Sequence, residues 1–200
     1  MNFIDLSVVL NEETPVYPGD PPIKIEPAGI FSKDGYNDHS FSFGTHVGTH
    51  IDAPLHMING GKTLDQIPIE QFTGRGKLVE GLELESVKAA DIEKGDIVLF
   101  KTRMIEKYHE EAYFNDYPGI PEDVANYLLE KKIKMVGMDM ASPDHPPFKI
   151  HKILLGAGIL IIENLTNLDK LAGKEFIVYA LPIKLSLDGA PARVFAHLSV

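Results

Sequence analysis

Two hundred residues with 44% hydrophobic and 24% charged side chains make an ordinary globular composition, with apolar material for one core, and one domain over residues 1–200 is expected. Lys and Arg number 19 against 29 Asp and Glu, a formal net charge of -10, so neither nucleic acid nor an anionic membrane surface is expected as a partner. Cysteine is absent, which excludes disulfides and thiolate metal sites and leaves nitrogen and oxygen as metal ligands.

In chain order, residues 4–10 are rich in β-branched side chains and predict a strand, although Asp5 interrupts them. With no basic stretch and no long apolar run at this end, a secretory leader is not expected, and the protein is read as soluble and cytoplasmic. Residues 14–22, 117–121 and 142–147 carry the Pro and Gly of ordered loops. Further strands are predicted at residues 23–30, 76–84, 97–101 and 176–181. Residues 122–132 open with acids and close with lysines. They follow Pro121 and space Val124, Tyr127, Leu128 and Lys131 at helical intervals, which predicts a helix with the proline at its first position. A buried strand over 135–138 comes next, then a helix over 148–155 stopped by Gly156 and Gly158, then a strand over 159–162. That last apolar run is far too short to span a bilayer. Strands and helices do not alternate strictly, so an α/β domain with a mixed, partly curled sheet and helices on the outside is expected rather than a regular doubly wound sheet.

The densest chemical signal is His46-Val47-Gly48-Thr49-His50-Ile51-Asp52-Ala53-Pro54-Leu55-His56, which holds three of the eight histidines. Imidazole and carboxylate are ligands for zinc, manganese and iron(II). In a straight strand, residues four apart lie about 13 Å apart, too far to share an ion. In a helix, His46 and His50 would share a face from which Asp52 is excluded. Gly48 offers a third geometry, because a glycine between the two histidines permits a sharp bend, and Pro54 prevents continuation as a helix.

This string resembles the His-x3-His-x-Asp-x3-His signature of the cyclase family, which includes bacterial kynurenine formamidases and isatin hydrolases. Three other stretches carry the same resemblance: Thr14-Pro15-Val16-Tyr17-Pro18-Gly19-Asp20, Val136-Gly137-Met138-Asp139 with Ser142-Pro143-Asp144, and Asp188-Gly189-Ala190-Pro191-Ala192-Arg193. A barrel-like sheet of the swivelling β/β/α type is the corresponding fold. The resemblance further implies a distal His and Glu, matched here by His151 and Glu163. His151 is otherwise an undistinguished helix residue, whereas Glu163 is an acid directly after a buried-looking strand.

The implied cofactors are two divalent metal ions, zinc first and manganese as the alternative. His46 and His50 would bind one ion and His151 the other, with Asp52 and Glu163 bridging. His56 would be the catalytic proton shuttle, with a role as third ligand of the first metal as the alternative. Tyr17 falls where kynurenine formamidases carry a substrate-stacking tryptophan and can still offer an aromatic face. His39, His109, His145 and His197 are read as incidental. The expected activity is hydrolysis of a small amide C–N bond, an aryl formamide such as N-formylkynurenine being foremost, in a homodimer acting on a small-molecule substrate. Opening of a small cyclic amide or lactone is the second reading. A non-catalytic metal-dependent binding protein is the third, and it has no use for an unligated base at His56.

Overall fold

A computed structural model describes residues 2–199. Ten strands form, β1 Phe3–Asp5, β2 Lys24–Gly29, β3 Asp38–Ser42, β4 His50–Asp52, β5 Thr73–Glu80, β6 Ile97–Lys101, β7 Met135–Met138, β8 Leu160–Glu163, β9 Phe176–Pro182 and β10 Gly189–Leu198. The helices are α1 Phe31–Asp34, α2 Leu84–Ala89, α3 Ala112–Asn115, α4 Glu122–Lys131 and α5 Lys149–Gly156. The strands β10-β4-β8-β7-β6-β5-β9 follow one another and β9 pairs back to β10, so these seven close into a barrel, with β1 added on the outside of β10. Strands β5 to β8 are parallel, and β4, β9 and β10 run antiparallel to their neighbours.

The apolar runs become strands buried on both faces, as parallel strands under helices are. Because side chains alternate, Ile97, Leu99, Met135, Leu160 and Ile162 point inside with Val178, Val194 and Ala196. Val98, Phe100, Val136, Met138 and Ile161 point outward, onto Val87 of α2, Val124 and Leu128 of α4, and Leu154 of α5. Parallel pairing requires crossovers, and α2, α4 and α5 supply them. The mixed, barrel-like α/β architecture predicted from the sequence is the one observed.

Several boundaries differ. The strand expected over residues 4–10 ends at Asp5, because Ser7 leaves the ladder. Its hydroxyl donates to Val194 O at 3.1 Å and accepts from Val194 N at 2.7 Å, and the chain bridges across to Leu165. Pro121 is the N-cap of α4 rather than its first residue, and Glu163 belongs to β8 instead of following it. The strand expected over 23–30 forms as β2 but pairs only with β3, a hairpin separate from the barrel. Strands β3, β4 and β10 are not among the segments the sequence predicts.

Candidate metal centre

The site lies where the end of β8 pairs with the start of β4. His50 and Glu163 are register partners in the β4–β8 pair, and Asp52 opposes Gly189 on β10. Gly48 adopts φ +58, the left-handed bend that the glycine between the histidines permits. That bend turns His46 back toward Asp52, leaving 2.7 Å between Nδ1 and Oδ1. The three-residue 3-10 turn Pro54–His56 then swings the His56 ring to 3.9 Å from the His46 ring. His151 arrives from the first turn of α5, which is where the resemblance placed a distal ligand.

Two carboxylates are shared between two imidazoles. Asp52 Oδ1 lies 3.4 Å from His50 Nε2 while its Oδ2 lies 3.7 Å from His151 Nε2. Glu163 Oε2 lies 3.3 Å from His50 Nε2 while its Oε1 lies 3.6 Å from His151 Nε2. The far ring nitrogens are tied down: His50 Nδ1 donates to Gly48 O at 2.9 Å, and His151 Nδ1 donates to Asp144 Oδ1 at 2.5 Å. Each ring is thereby oriented with Nε2 toward the carboxylates, as outer partners orient metal-binding histidines. His46 Nε2 faces Asp188 Oδ2 at 2.8 Å, and the same oxygen is 3.6 Å from His56 Nδ1.

This donor set fits divalent cations. Among the described residues, His50 Nε2 and Asp52 Oδ2 are buried without a hydrogen-bond partner, and no Lys or Arg pairs with Asp52 or Glu163. Buried carboxylates without a cation and buried polar atoms without a partner are both costly, and a cation between the imidazoles and the carboxylates would remove both costs. Without metal, protons supply the positive charge. Burial alone would lower the His46 imidazole, but Asp52 and Asp188 raise it to about 9. Burial opposes protonation of His151 too, and Asp144 with Glu163 raises it to about 10. Asp188, bonded to His46, is pulled down to about 2. His56 differs: burial, reinforced by His46 and His151, lowers it below its ordinary value and outweighs Asp52. Among the described residues, two groups have ligand atoms mutually within 4.8 Å, His46 with Asp52 and His56, and His50 with Asp52 and Glu163.

A cavity of about 260 Å³ opens over these residues, with Tyr17, Phe114, Met57 and Phe148 among its walls. Tyr17 meets Phe114 edge-on at 5.9 Å, and its hydroxyl is 3.5 Å from that of Tyr117. All seven residues singled out from the sequence thus border one space or its floor. Sequence reasoning gave no site role to Asp144, Asn164 or Asp188. The stretches around Asp144 and Asp188 carry the family resemblance, but nothing local ties either carboxylate to a histidine. Of the incidental histidines, His145 stacks on Tyr117 at 4.0 Å and His197 lies tilted against Phe3 at 4.7 Å.

Fold and donor set together define a candidate metal-dependent hydrolase. A family model described as "Putative cyclase" matches residues 4–145, and the chain belongs to this cyclase family. The kynurenine formamidase of Bacillus thuringiensis is 32% identical over 200 residues, covering 96% of this chain and 95% of that protein. An isatin hydrolase bound to the product analogue thioisatinate superposes with a TM-score of 0.88 at 26% identity, covering 98% of this chain and 92% of that one. A potential metal-dependent hydrolase with cyclase activity superposes with a TM-score of 0.81 at 32% identity, covering 98% and 96% respectively.

Proposed function

We propose that this chain hydrolyses the C–N bond of a small aryl formamide of the N-formylkynurenine type, using two divalent ions, zinc first and manganese as the alternative. The ions would be held by His46, His50, Asp52, His151 and Glu163. The observation that carries the reading is the division of oxygens, in which Asp52 and Glu163 each turn one oxygen toward His50 and the other toward His151. Similarity to kynurenine formamidase along nearly the whole chain supports the substrate class. When bound, such ions polarise a carbonyl and make water nucleophilic at neutral pH.

The chain's own residues do the rest. Tyr17, Phe114 and Phe148 form aromatic walls against which an aryl ring packs. Gly48 and Asp144 fix the rings of His50 and His151 through their Nδ1 atoms. His56, kept unprotonated by burial, accepts the proton of the attacking water and delivers it to the departing nitrogen. Its ring lies 3.9 Å from that of His46 and 5.6 Å from that of His151, within reach of the reacting centre.

Ring opening of a small cyclic amide is the second reading, favoured by the likeness to the isatin hydrolase, and it uses the same residues. We further propose that the protein is cytoplasmic and, separately, that it is a homodimer: the β2–β3 hairpin displays Phe31, Tyr36 and Phe41 at 68%, 57% and 63% exposure, an apolar surface that a second copy would cover. Sedimentation gives the oligomeric state directly. The enzymatic test is turnover of N-formylkynurenine and of isatin by zinc- or manganese-loaded protein, with metal content measured in parallel. Formamide cleavage that disappears on chelation is expected. Fully loaded protein that cleaves isatin and spares the formamide would move the assignment to the second reading.

A further inference from the structure

We infer that Asn164 and Tyr113 are positioning residues that hold His50 in its ligating orientation; the inference rests on the metal-centre reading above. The His50 ring is set by one acceptor, Gly48 O, which receives Nδ1 at 2.9 Å. That carbonyl stands at a left-handed bend and also accepts Asn164 Nδ2 at 2.9 Å. A carbonyl has two lone pairs, and these two donors use both. The amide of Asn164 is oriented in turn by Tyr113, whose hydroxyl donates to Oδ1 at 2.6 Å. Tyr113 sits in α3, fully buried among Tyr108 and Phe114, so its hydroxyl is aimed by packing.

Asn164 is bound to the bend a second time. Its backbone carbonyl accepts Thr49 Oγ1 at 2.7 Å, and its φ of +58 is a conformation that Asn tolerates better than most residues. It directly follows Glu163, itself the register partner of His50. One residue therefore locks the end of β8, which carries one ligand, to the turn that delivers another. A fully satisfied buried polar chain of this kind fixes geometry where apolar packing would leave the ring free to tilt.

The test uses cobalt(II) as a spectroscopic probe on the full chain. Asn164→Asp keeps the shape and the acceptor but loses the donor to Gly48 O. Tyr113→Phe removes one hydroxyl. Tyr108→Phe is the control, because it removes a neighbouring buried hydroxyl that has no hydrogen-bond partner among the described residues. Asn164→Asp is expected to weaken cobalt binding by about 10–100-fold, and Tyr113→Phe by about 10-fold, the range for outer partners of metal-binding histidines. Both should shift the visible absorption bands and lower kcat with KM nearly unchanged, while Tyr108→Phe does neither. If Asn164→Asp does not fold, the two tyrosine variants decide alone. Wild-type affinity and bands in folded Tyr113→Phe would overturn the inference, as would equal losses in Tyr108→Phe. A lower melting temperature with unaltered cobalt binding would assign the chain of bonds to stability and also overturn it. Failure of the wild-type chain to take up cobalt would refute the metal centre itself and remove the ground for this inference with it.

Discussion

At Gly189 the barrel wall comes close behind His46, a proposed ligand. A methyl group built on it would lie 2.7 Å from His46 Cε1, 3.2 Å from His46 Nδ1 and 3.0 Å from Ile51 O. Comfortable carbon–carbon contact begins at about 3.5 Å, so in Gly189→Ala something must retreat by roughly 1 Å. Ile51 O belongs to the β4–β10 pairing and cannot move far, so the imidazole moves. The ring's bonds to Asp52 and Asp188, 2.7 and 2.8 Å long, then stretch beyond the roughly 3.2 Å at which such bonds weaken. The expected loss of metal affinity is about 10–100-fold. Overpacking adds a destabilisation of about 1–3 kcal/mol, and in a protein of this size each kcal/mol lowers the melting temperature by about 2–4 °C. Competition with a chromogenic zinc chelator reads the first effect and thermal unfolding in excess chelator reads the second. Gly76→Ala separates the two, because its methyl group would enter the Phe176 ring, away from the site. It should lower the melting temperature and leave zinc affinity intact. Wild-type zinc affinity in Gly189→Ala would refute the placement of His46 as a ligand pressed against β10.

Replacing His56 by Ala should retain the metals and slow formamide turnover by about 10²–10⁴-fold, with no rescue by added metal; rescue by added metal would make His56 a ligand instead. Asp144→Asn should weaken metal binding by about 10–100-fold, because His151 loses the carboxylate that orients it; unchanged affinity by chelator competition contradicts that role. Metal-stripped protein should lose thermal stability progressively as pH rises from the ordinary 6.5 to about 10, since His46 and His151 are raised in the folded state to about 9 and about 10. Protons bound more tightly in the folded state stabilise it fully below the unfolded value and cease to do so above the folded one. A flat melting profile across that interval would show that the two rings are not held charged. Tyr17→Ala should raise KM for aryl formamides more than for formamide itself, measured by steady-state kinetics; equal effects would deny it the aryl contact.

The site was legible where its chemistry is local. Three histidines and an aspartate around one glycine constrain each other within a few residues, and the observed left-handed Gly48 is the bend that this spacing calls for. His151 was reachable only through family resemblance, because in isolation it is one more residue on an amphipathic helix. Asp144, Asp188 and Asn164 were given no role because each acts through a partner that only tertiary structure brings near. The fold divides in the same way. Strands β6 and β7, buried on both faces, announce themselves as apolar runs and appear at the predicted bounds. Strand β4 is three residues, His50-Ile51-Asp52, too short a run for its alternation to register. In β10, Pro191 argues against a strand, yet it fits because pairing with β9 begins only at Ala192, whose own N–H donates to Thr49 O on the β4 side, so the edge that an N–H of residue 191 would face is unpaired.

The shortness of β4 also bears on how the molecule assembles. It alone joins β10 to β8, and its partners lie more than half the chain away in sequence on each side. Such distant pairings form late, after the local βα units, because loop closure must precede any gain from contact. Three residues provide little ladder with which to keep that last seam shut. A cation held, as proposed, by Asp52 on β4 and Glu163 on β8 would span the seam and act as its rivet. Metal would then retard opening more than it hastens closure, and amide exchange along β4 would register its departure before the rest of the barrel does.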